Sequence, residues 1–267
     1  MKRLTALLVF GVLVVLSGCG PSKKAQLQKV GGTGQEVDFK SLTKSADGVY
    51  LLGKGGSPYS GGYADFNAKA KSVRELGTMK DGKQDGKVTQ WYDSGSLRSV
   101  NMYKGGMYEG ECVDYYPNGQ IKSKAVFKDG APEGELVENY DSGTPKLKGL
   151  YKDGKPGGEF TEWHENGKIK SKGLSSAKGM EGEWTVWFEN GQMASKGSYS
   201  DGVKSGHWEM WYQDGQRSFV GEFADDKYEG ECTAWKQDGS VSFSGVCRDG
   251  HMLNSIKGDG RELPKKK

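Results

Sequence analysis

The chain has few cysteines, histidines and prolines, and it is short of the apolar residues that fill a thick core. Its 267 residues include four cysteines, three histidines and seven prolines, and apolar residues make up only 34%. That apolar share is too small for a thick core, although the chain is long enough for one. Basic and acidic residues nearly balance, 38 against 35. This balance offers no electrostatic footprint for nucleic acid, so we expect no nucleic-acid partner.

Glycine is the residue that the chain has in excess. There are 43 glycines, about twice the usual share of roughly 7%. From Lys80 the sequence divides without a gap into seven blocks of 24 residues, with glycine at positions 7 and 16 of every block. The blocks are 80–103, 104–127, 128–151, 152–175, 176–199, 200–223 and 224–247. This regularity favours a repeat structure over disorder.

Each block is typical of one β-hairpin. Positions 8–13 and 18–24 are short runs with β-branched and aromatic residues. We expect the Asn-Gly, Asp-Gly or Ser-Gly pair between them to supply the positive φ angles of a tight turn, which places position 9 opposite 22 and position 13 opposite 18. Lys-Asp-Gly at positions 1–3 predicts a second turn into the next hairpin. Because an isolated hairpin is marginal in water, the predicted fold is all-β, an elongated antiparallel sheet built from tandem 24-residue hairpins.

The block also resembles a known repeat. Its pattern, KDGKxxGxxxxWxxNGxxxxxGxY, resembles the MORN-type repeat, in the variant found in many bacterial lipoproteins and in proteins labelled YwqK-type antitoxins. The resemblance covers about residues 56–250, with a degenerate block at 56–79. It implies a repeat fold without shared catalytic residues, and it raises an antitoxin- or immunity-like role. Lys178 and Asp226 depart from the pattern, since each replaces the glycine of position 3.

Alternation along the strands predicts two faces. The core face would hold positions 9, 11, 13, 18, 20, 22 and 24, with glycine at position 22 leaving room for aromatic rings. The opposite face, here called the charged face, would hold glutamates at position 8, lysines at position 21 and a tryptophan column at position 12. Its candidate binding residues are Trp163, Trp187, Trp211 and Trp235. These side chains either cover a glycine or a lysine stem, or they form an exposed ladder for sugar rings or a partner's side chains. A one-residue bulge would exchange the faces.

The N-terminus has the features of an export signal. Lys2 and Arg3 precede a mostly apolar run, residues 4–16, and Leu16-Ser17-Gly18-Cys19 resembles a bacterial lipobox. The resemblance implies cleavage before Cys19 and acylation of that residue, which would anchor the chain in a membrane. An ordinary signal peptide with a chance cysteine and a plain membrane helix are the alternatives. Gly20 is not the Asp of an inner-membrane retention signal, so the outer membrane is favoured in a Gram-negative host.

These observations divide the chain into five segments. We expect a lipoprotein signal peptide at 1–18, a lipidated tether at 19–45, a degenerate N-terminal repeat or cap at 46–79, seven MORN-type repeats at 80–247, and a C-terminal cap with a basic tail at 248–267.

No residue pattern indicates an active site. The histidines fall at unrelated block positions, and no His or Cys pair has ligand spacing, so we expect neither a metal nor another cofactor. The carboxylates repeat along a row instead of converging on one pocket. Cys232 and Cys247 lie near one another diagonally across one hairpin and either form a disulfide or, with Cys112, act as buried thiols. We expect no catalytic residue and a non-enzyme.

Two classes of function fit this sequence. The first is a monomeric lipoprotein of the bacterial envelope, whose repeat sheet presents a binding surface to a protein or glycan. The second is neutralisation of a cognate toxin. The lipobox favours the first, because a cytoplasmic toxin is out of reach of an exported protein. A carbohydrate-modifying enzyme ranks third and would require a converged carboxylate pair.

Overall fold

The computed structural model describes residues 37–54, 56–67 and 72–255, and almost all of its regular structure is β-strand. Cys19 and the predicted signal peptide lie outside these residues, as do the turn position Lys71 and the basic tail. Within the described ranges, no helix is long and apolar enough to cross a membrane.

The strands follow one another along the chain with short turns between them. They are β1 (Val37–Asp38), β2 (Leu42–Lys44), β3 (Tyr50–Leu52), β4 (Gly61–Asn67), β5 (Ser72–Lys80), β6 (Lys83–Gln84), β7 (Gly86–Trp91), β8 (Leu97–Lys104), β9 (Met107–Tyr115), β10 (Ile121–Lys128), β11 (Ala131–Asn139), β12 (Pro145–Lys152), β13 (Lys155–Trp163), β14 (Ile169–Ser176), β15 (Gly179–Trp187), β16 (Met193–Ser200), β17 (Val203–Trp211), β18 (Arg217–Ala224), β19 (Lys227–Trp235), β20 (Val241–Arg248) and β21 (His251–Ser255). A 3₁₀ turn, Phe39–Ser41, separates β1 from β2.

Nineteen of these strands form one long sheet, in which each block supplies a hairpin. From β4 onward successive strands pair antiparallel, as β15 does with β16 and β16 with β17, except that β6 and β7 both pair with β5. The predicted all-β sheet of tandem hairpins is confirmed. One pairing departs from the antiparallel rule, because β1 pairs parallel with β4 and makes the sheet mixed.

The N-terminal cap begins earlier than the sequence predicted. The expected tether at 19–45 includes β1, the 3₁₀ turn and β2, which belong to the folded cap. Tyr59, Tyr63 and Met79 form a buried cluster there, against which Phe39 and Tyr50 pack. Residues 37–45 therefore belong to the folded cap, where Phe39 packs against the buried cluster.

The turns between blocks are two-residue turns with two positive φ angles, except the turn at Ala177 and Lys178, where neither φ is positive. Lys152 pairs with Lys155, and between them Asp153 and Gly154 have φ of 49° and 77°. Two positive angles define a type I′ turn, whose twist suits a hairpin. Asp226, which replaces glycine in the last block, keeps the conformation with φ of 63°.

The turn within a block is of another kind. The Phe188 amide donates to the Gln192 carbonyl at 2.8 Å, and the Gly191 amide donates to the Phe188 carbonyl at 2.8 Å. Gly191 has φ of 90°, whereas Asn190 has no positive φ. The expectation that the Asn-Gly pair makes a tight two-residue turn was therefore wrong. The loop is longer, and its last turn residue is a left-handed glycine next to a bulge.

That bulge changes the predicted register at the loop end of each hairpin. Trp184 lies opposite Gly197, as predicted for positions 9 and 22, but Met193 at position 18 lies opposite Trp187 at position 12. The pairing of positions 13 and 18 was wrong, because one extra residue follows position 18. Since directly opposed residues share a face, position 18 belongs to the charged face and not to the core face.

The core face is a single layer in which aromatic rings lie over glycines of the neighbouring block. Trp208 is 1% exposed, and a Cβ added to Gly197 would lie 2.1 Å from its ring. Gly173 stands in the same relation to Trp184, at 2.3 Å. The Trp208 indole N–H donates to the Ser198 carbonyl at 3.1 Å. Glycine at position 22 therefore makes room for a ring, as the sequence predicted.

Cys232 and Cys247 are joined by a disulfide of 2.02 Å across the β19–β20 hairpin. They belong to a buried cluster with Trp208, Phe219 and Phe223. Cys112 is a buried free thiol, and burial raises its pKa.

Candidate binding surface

The charged face carries a repeated row of ion pairs, each between a glutamate at position 8 and a lysine at position 21. The Nζ–Oε2 distances are 2.6 Å for Lys124–Glu111, 2.6 Å for Lys148–Glu135, 4.0 Å for Lys172–Glu159 and 3.1 Å for Lys196–Glu183. The hydrogen bond to Glu111 raises the pKa of Lys124. Because these side chains are exposed, each pair contributes little, roughly 0–1 kcal/mol. The charges remain available to a ligand.

The four candidate tryptophans occupy equivalent places in successive hairpins. Trp163, Trp187, Trp211 and Trp235 each end the first strand of their block and are half-buried. Opposite them stand the position-18 residues Ile169, Met193, Arg217 and Val241. The four tryptophans of this column differ from Trp184 and Trp208, which are buried in the core face. The column therefore presents part of each indole to solvent.

A groove of about 350 Å³ opens beside one of these rings. Its walls include Trp187 and Thr185 from β15 and Lys172 and Leu174 from β14. Lys172 and Thr185 are directly opposite one another in the ladder between the two strands. The groove thus lies where two blocks meet, so its shape depends on the stacking of repeats.

An apolar row runs along the charged face beside the glutamates. Val126, Leu150 and Leu174, all at position 23, are 45%, 43% and 48% exposed. Each stands opposite the position-8 glutamate of its own hairpin. This face therefore combines exposed apolar side chains with charged ones, whereas a surface that faces only solvent does not require exposed apolar side chains.

The last full blocks carry a different set of charges. In block 200–223, His207 replaces the glutamate of position 8, and its Nδ1 lies 3.0 Å from Glu222. Arg217 pairs with Glu209 at 3.0 Å, directly beside Trp211. The regular Glu–Lys row therefore ends before this block.

Two hydrogen-bond series link neighbouring blocks, and the sequence reasoning missed both. In the first, the side chain at position 13 reaches the carbonyl at position 12 of the next block. Tyr140 donates to Trp163 at 2.7 Å, and His164 contacts the Trp187 carbonyl at 2.9 Å. Phe188 has no polar atom for this bond. The recurrence of Tyr at position 13 is the sequence signal for this series, but position 13 was predicted only to face the core.

In the second series, a carboxylate at position 6 accepts from the turn of the following block. The Asp153 amide donates to Glu133 at 2.8 Å, and the Asp129 amide donates to Glu109 at 2.9 Å. These bonds stack the type I′ turns along one edge of the sheet. Together, the two series hold successive blocks in a fixed relation, which a multi-block binding surface requires.

Within the described ranges, no group of three or more His, Cys, Asp or Glu side chains is placed to hold a metal ion. His164 bonds the Trp187 backbone and His207 pairs with Glu222, so the structure does not bring these two together.

Comparison with known proteins gives one match. The family described as MORN repeat variant matches residues 84–104, 108–129, 156–175 and 180–201. These segments fall on the hairpins of the first, second, fourth and fifth blocks. No curated protein matches the chain. With its stacked 24-residue hairpins and these four matches, the chain is a MORN-type repeat protein.

Proposed function

We propose that this protein is an envelope-anchored lipoprotein whose charged face binds an extended protein or glycan ligand. The repeat sheet itself indicates a scaffold for binding. The Trp187 groove is the observation that carries the proposal. It combines a half-exposed indole, an exposed apolar side chain and a lysine at the meeting of two blocks.

The arrangement suits an extended ligand better than a small compact one. Each block adds two strands, so equivalent sites recur about 10 Å apart, twice the usual strand separation. Indole rings offer apolar contact area with a polar N–H, which favours both sugar rings and side chains. The neighbouring Glu–Lys pairs give direction to binding, since charged groups contribute specificity more than raw affinity.

The anchoring part of the proposal is supported by Leu16-Ser17-Gly18-Cys19 and by the disulfide of the last block, because disulfides persist in oxidising compartments. A metabolic label with an alkyne fatty acid tests it. The full chain is expected to take up the label and to sediment with membranes, while Cys19→Ala is expected to lose both properties. A soluble, unlabelled wild-type protein would refute the anchoring.

The binding surface is tested by photo-crosslinking in intact cells. A photoreactive residue in place of Lys172 would lie at the groove, whereas the same residue in place of Lys170 provides a matched control on the same strand. Lys170 pairs with Glu162, away from the groove. We expect a specific adduct from position 172 and none from 170. Equal adducts from the two positions, or none from either, would count against the charged face.

The proposed role is non-enzymatic. In this role, the carboxylates of the charged face orient a ligand and keep the sheet soluble. This part stands on the ion pairs, in which Glu111, Glu135 and Glu183 each face a lysine and not a second carboxylate.

A further inference from the structure

The N-terminal end of the sheet has a second groove, remote from Trp187. It measures about 430 Å³ and is lined by Arg74, Trp91, Tyr92, Asp93 and Arg98. None of these residues lines the Trp187 groove. The two arginines and two adjoining aromatic residues give this groove a cationic and aromatic lining.

Arg98 occupies a repeat position at which the lysines of two later blocks have an acidic partner. In two later blocks the position-19 lysines pair with position-11 glutamates, Lys146 with Glu138 at 3.6 Å and Lys170 with Glu162 at 3.4 Å. In the first block position 11 is Gln90, which carries no charge. The first block therefore has a cation at position 19 without a carboxylate at position 11.

The carboxylate that Gln90 contacts also has a second partner. Glu75 accepts from Gln90 at 2.6 Å and from the Tyr63 hydroxyl at 2.6 Å. The contact recorded for the Arg98 guanidinium is with the face of the Tyr92 ring, at 5.9 Å from its centroid. Within the described ranges no carboxylate lies within 4 Å of that guanidinium. An exposed, unpaired guanidinium beside a groove is a ready partner for a ligand carboxylate.

The other lining groups restrict the class of ligand. Trp91 and Tyr92 supply aromatic surface, which favours the apolar face of a ring. One oxygen of Asp93 accepts from Asn67 at 2.6 Å, and this carboxylate would repel a bare anion but accept a hydroxyl. Arg74 pairs with Asp65 at 3.7 Å, so Arg98 is the arginine of this groove without a carboxylate partner among the described residues. A ligand that satisfies all three chemistries carries a carboxylate, hydroxyls and a ring with an apolar face.

We infer that this groove binds a carboxylated sugar, of the uronic acid class, with its carboxylate on Arg98 and its ring against Trp91 and Tyr92. The volume falls within the range of about 300–1,000 Å³ that is usual for small-ligand sites. The inference does not rest on the proposed function of the charged face, because the two grooves share no residue.

The test compares D-glucuronate with D-glucose by ligand-observed NMR titration of the full-length chain in detergent. The two sugars share the ring and differ at C6, where one has a carboxylate and the other a hydroxymethyl group. We expect glucuronate to bind at least about tenfold more tightly, the scale of one charge-assisted bidentate contact. Added salt should weaken glucuronate binding and leave glucose unchanged.

Arg98→Gln should remove the preference for glucuronate, and Arg98→Lys should restore part of it. Lys170→Gln, the equivalent position three blocks later, is the matched control and should leave the preference intact. Acetate at the same concentrations separates a carboxylate effect from recognition of the ring, and we expect it to compete poorly. Equal affinities of the wild-type chain for the two sugars would overturn the inference without any variant. So would an unchanged preference in Arg98→Gln, or competition by acetate equal to that by glucuronate.

Discussion

Substitution of Gly197 by alanine tests the packing that joins one block to the next. The added Cβ would lie 2.1 Å from the Trp208 Cδ2 atom and 2.3 Å from Cε2. Non-bonded carbons at that distance cannot coexist, so the ring or the strand must move. Trp208 has little freedom to move, because it is 1% exposed and its edge meets the Tyr199 ring with centroids 5.1 Å apart.

The cost has two parts. Overpacking in a well-filled site costs typically about 1–3 kcal/mol. Displacement of the indole also weakens its hydrogen bond to the Ser198 carbonyl, worth roughly 0.5–1.5 kcal/mol. We therefore expect Gly197→Ala to lower the free energy of unfolding by about 2–4 kcal/mol. Because each block contacts chiefly its neighbours, amide exchange should increase first in β16 and β17.

Denaturant unfolding and hydrogen exchange measure these effects, with Gly157→Ala as the matched control. A Cβ on Gly157 would meet nothing closer than 3.9 Å, so we expect a change within about 0.5 kcal/mol. The chain offers a natural precedent, since Ala125 occupies position 22 opposite Leu136. Gly197→Ala combined with Trp208→Leu should therefore cost less than the sum of the single changes. Additive losses, or equal losses in Gly197→Ala and Gly157→Ala, would refute the ring-over-glycine account.

Three further changes test other parts of the fold. Gly191→Val places a β-branched residue at φ of 90° and should destabilise by about 1–3 kcal/mol in denaturant unfolding; an unchanged curve would contradict the loop geometry. Reduction of the Cys232–Cys247 disulfide, or the double variant Cys232→Ala with Cys247→Ala, opens a link with a sequence separation of 15. The free energy of unfolding should fall by about 3 kcal/mol, and amide hydrogen exchange should increase first in β19 and β20. Equal stability with and without reductant would contradict this prediction. Burial and the hydrogen bond to Glu75 raise the pKa of Tyr63 above its usual value. The contribution of the Tyr63 hydroxyl to stability is therefore present below the unfolded pKa of about 10 and is lost as pH rises beyond it. Between neutral pH and pH above about 10, Tyr63→Phe should lose less stability than the wild type, and equal losses in both proteins would contradict this assignment.

The sequence predicted those features that depend on local periodicity. The period of 24 residues, the pairing of position 9 with 22, and the room made by Gly173 and Gly197 all follow from alternation along strands. The charged face was also predicted, because the glutamates and lysines recur at fixed positions. What matters for these features is the position within the block, which the sequence displays directly.

Features that depend on an extra residue or on contacts between blocks were missed. The bulge after position 18 moved Met193 to the charged face, and alternation alone cannot place such an insertion. The bond that the Asp153 amide donates to Glu133 spans 20 residues, so it can be predicted only when the stacking is known. The groove at Trp187 likewise needs two neighbouring strands in register, and the sequence identified its tryptophan without the groove.

The central claim is that the tryptophan column binds a ligand and does not serve the core. The most direct test is the double variant Trp187→Ala with Trp211→Ala, scored for thermal stability and for retention of the ligand crosslinked at position 172. Trp208→Ala is the core control and should lose several kcal/mol, as buried tryptophans do. The account predicts that the double variant keeps a melting temperature near that of the wild type and loses the adduct. A collapse of its melting temperature to that of Trp208→Ala would return the column to the core and contradict the claim.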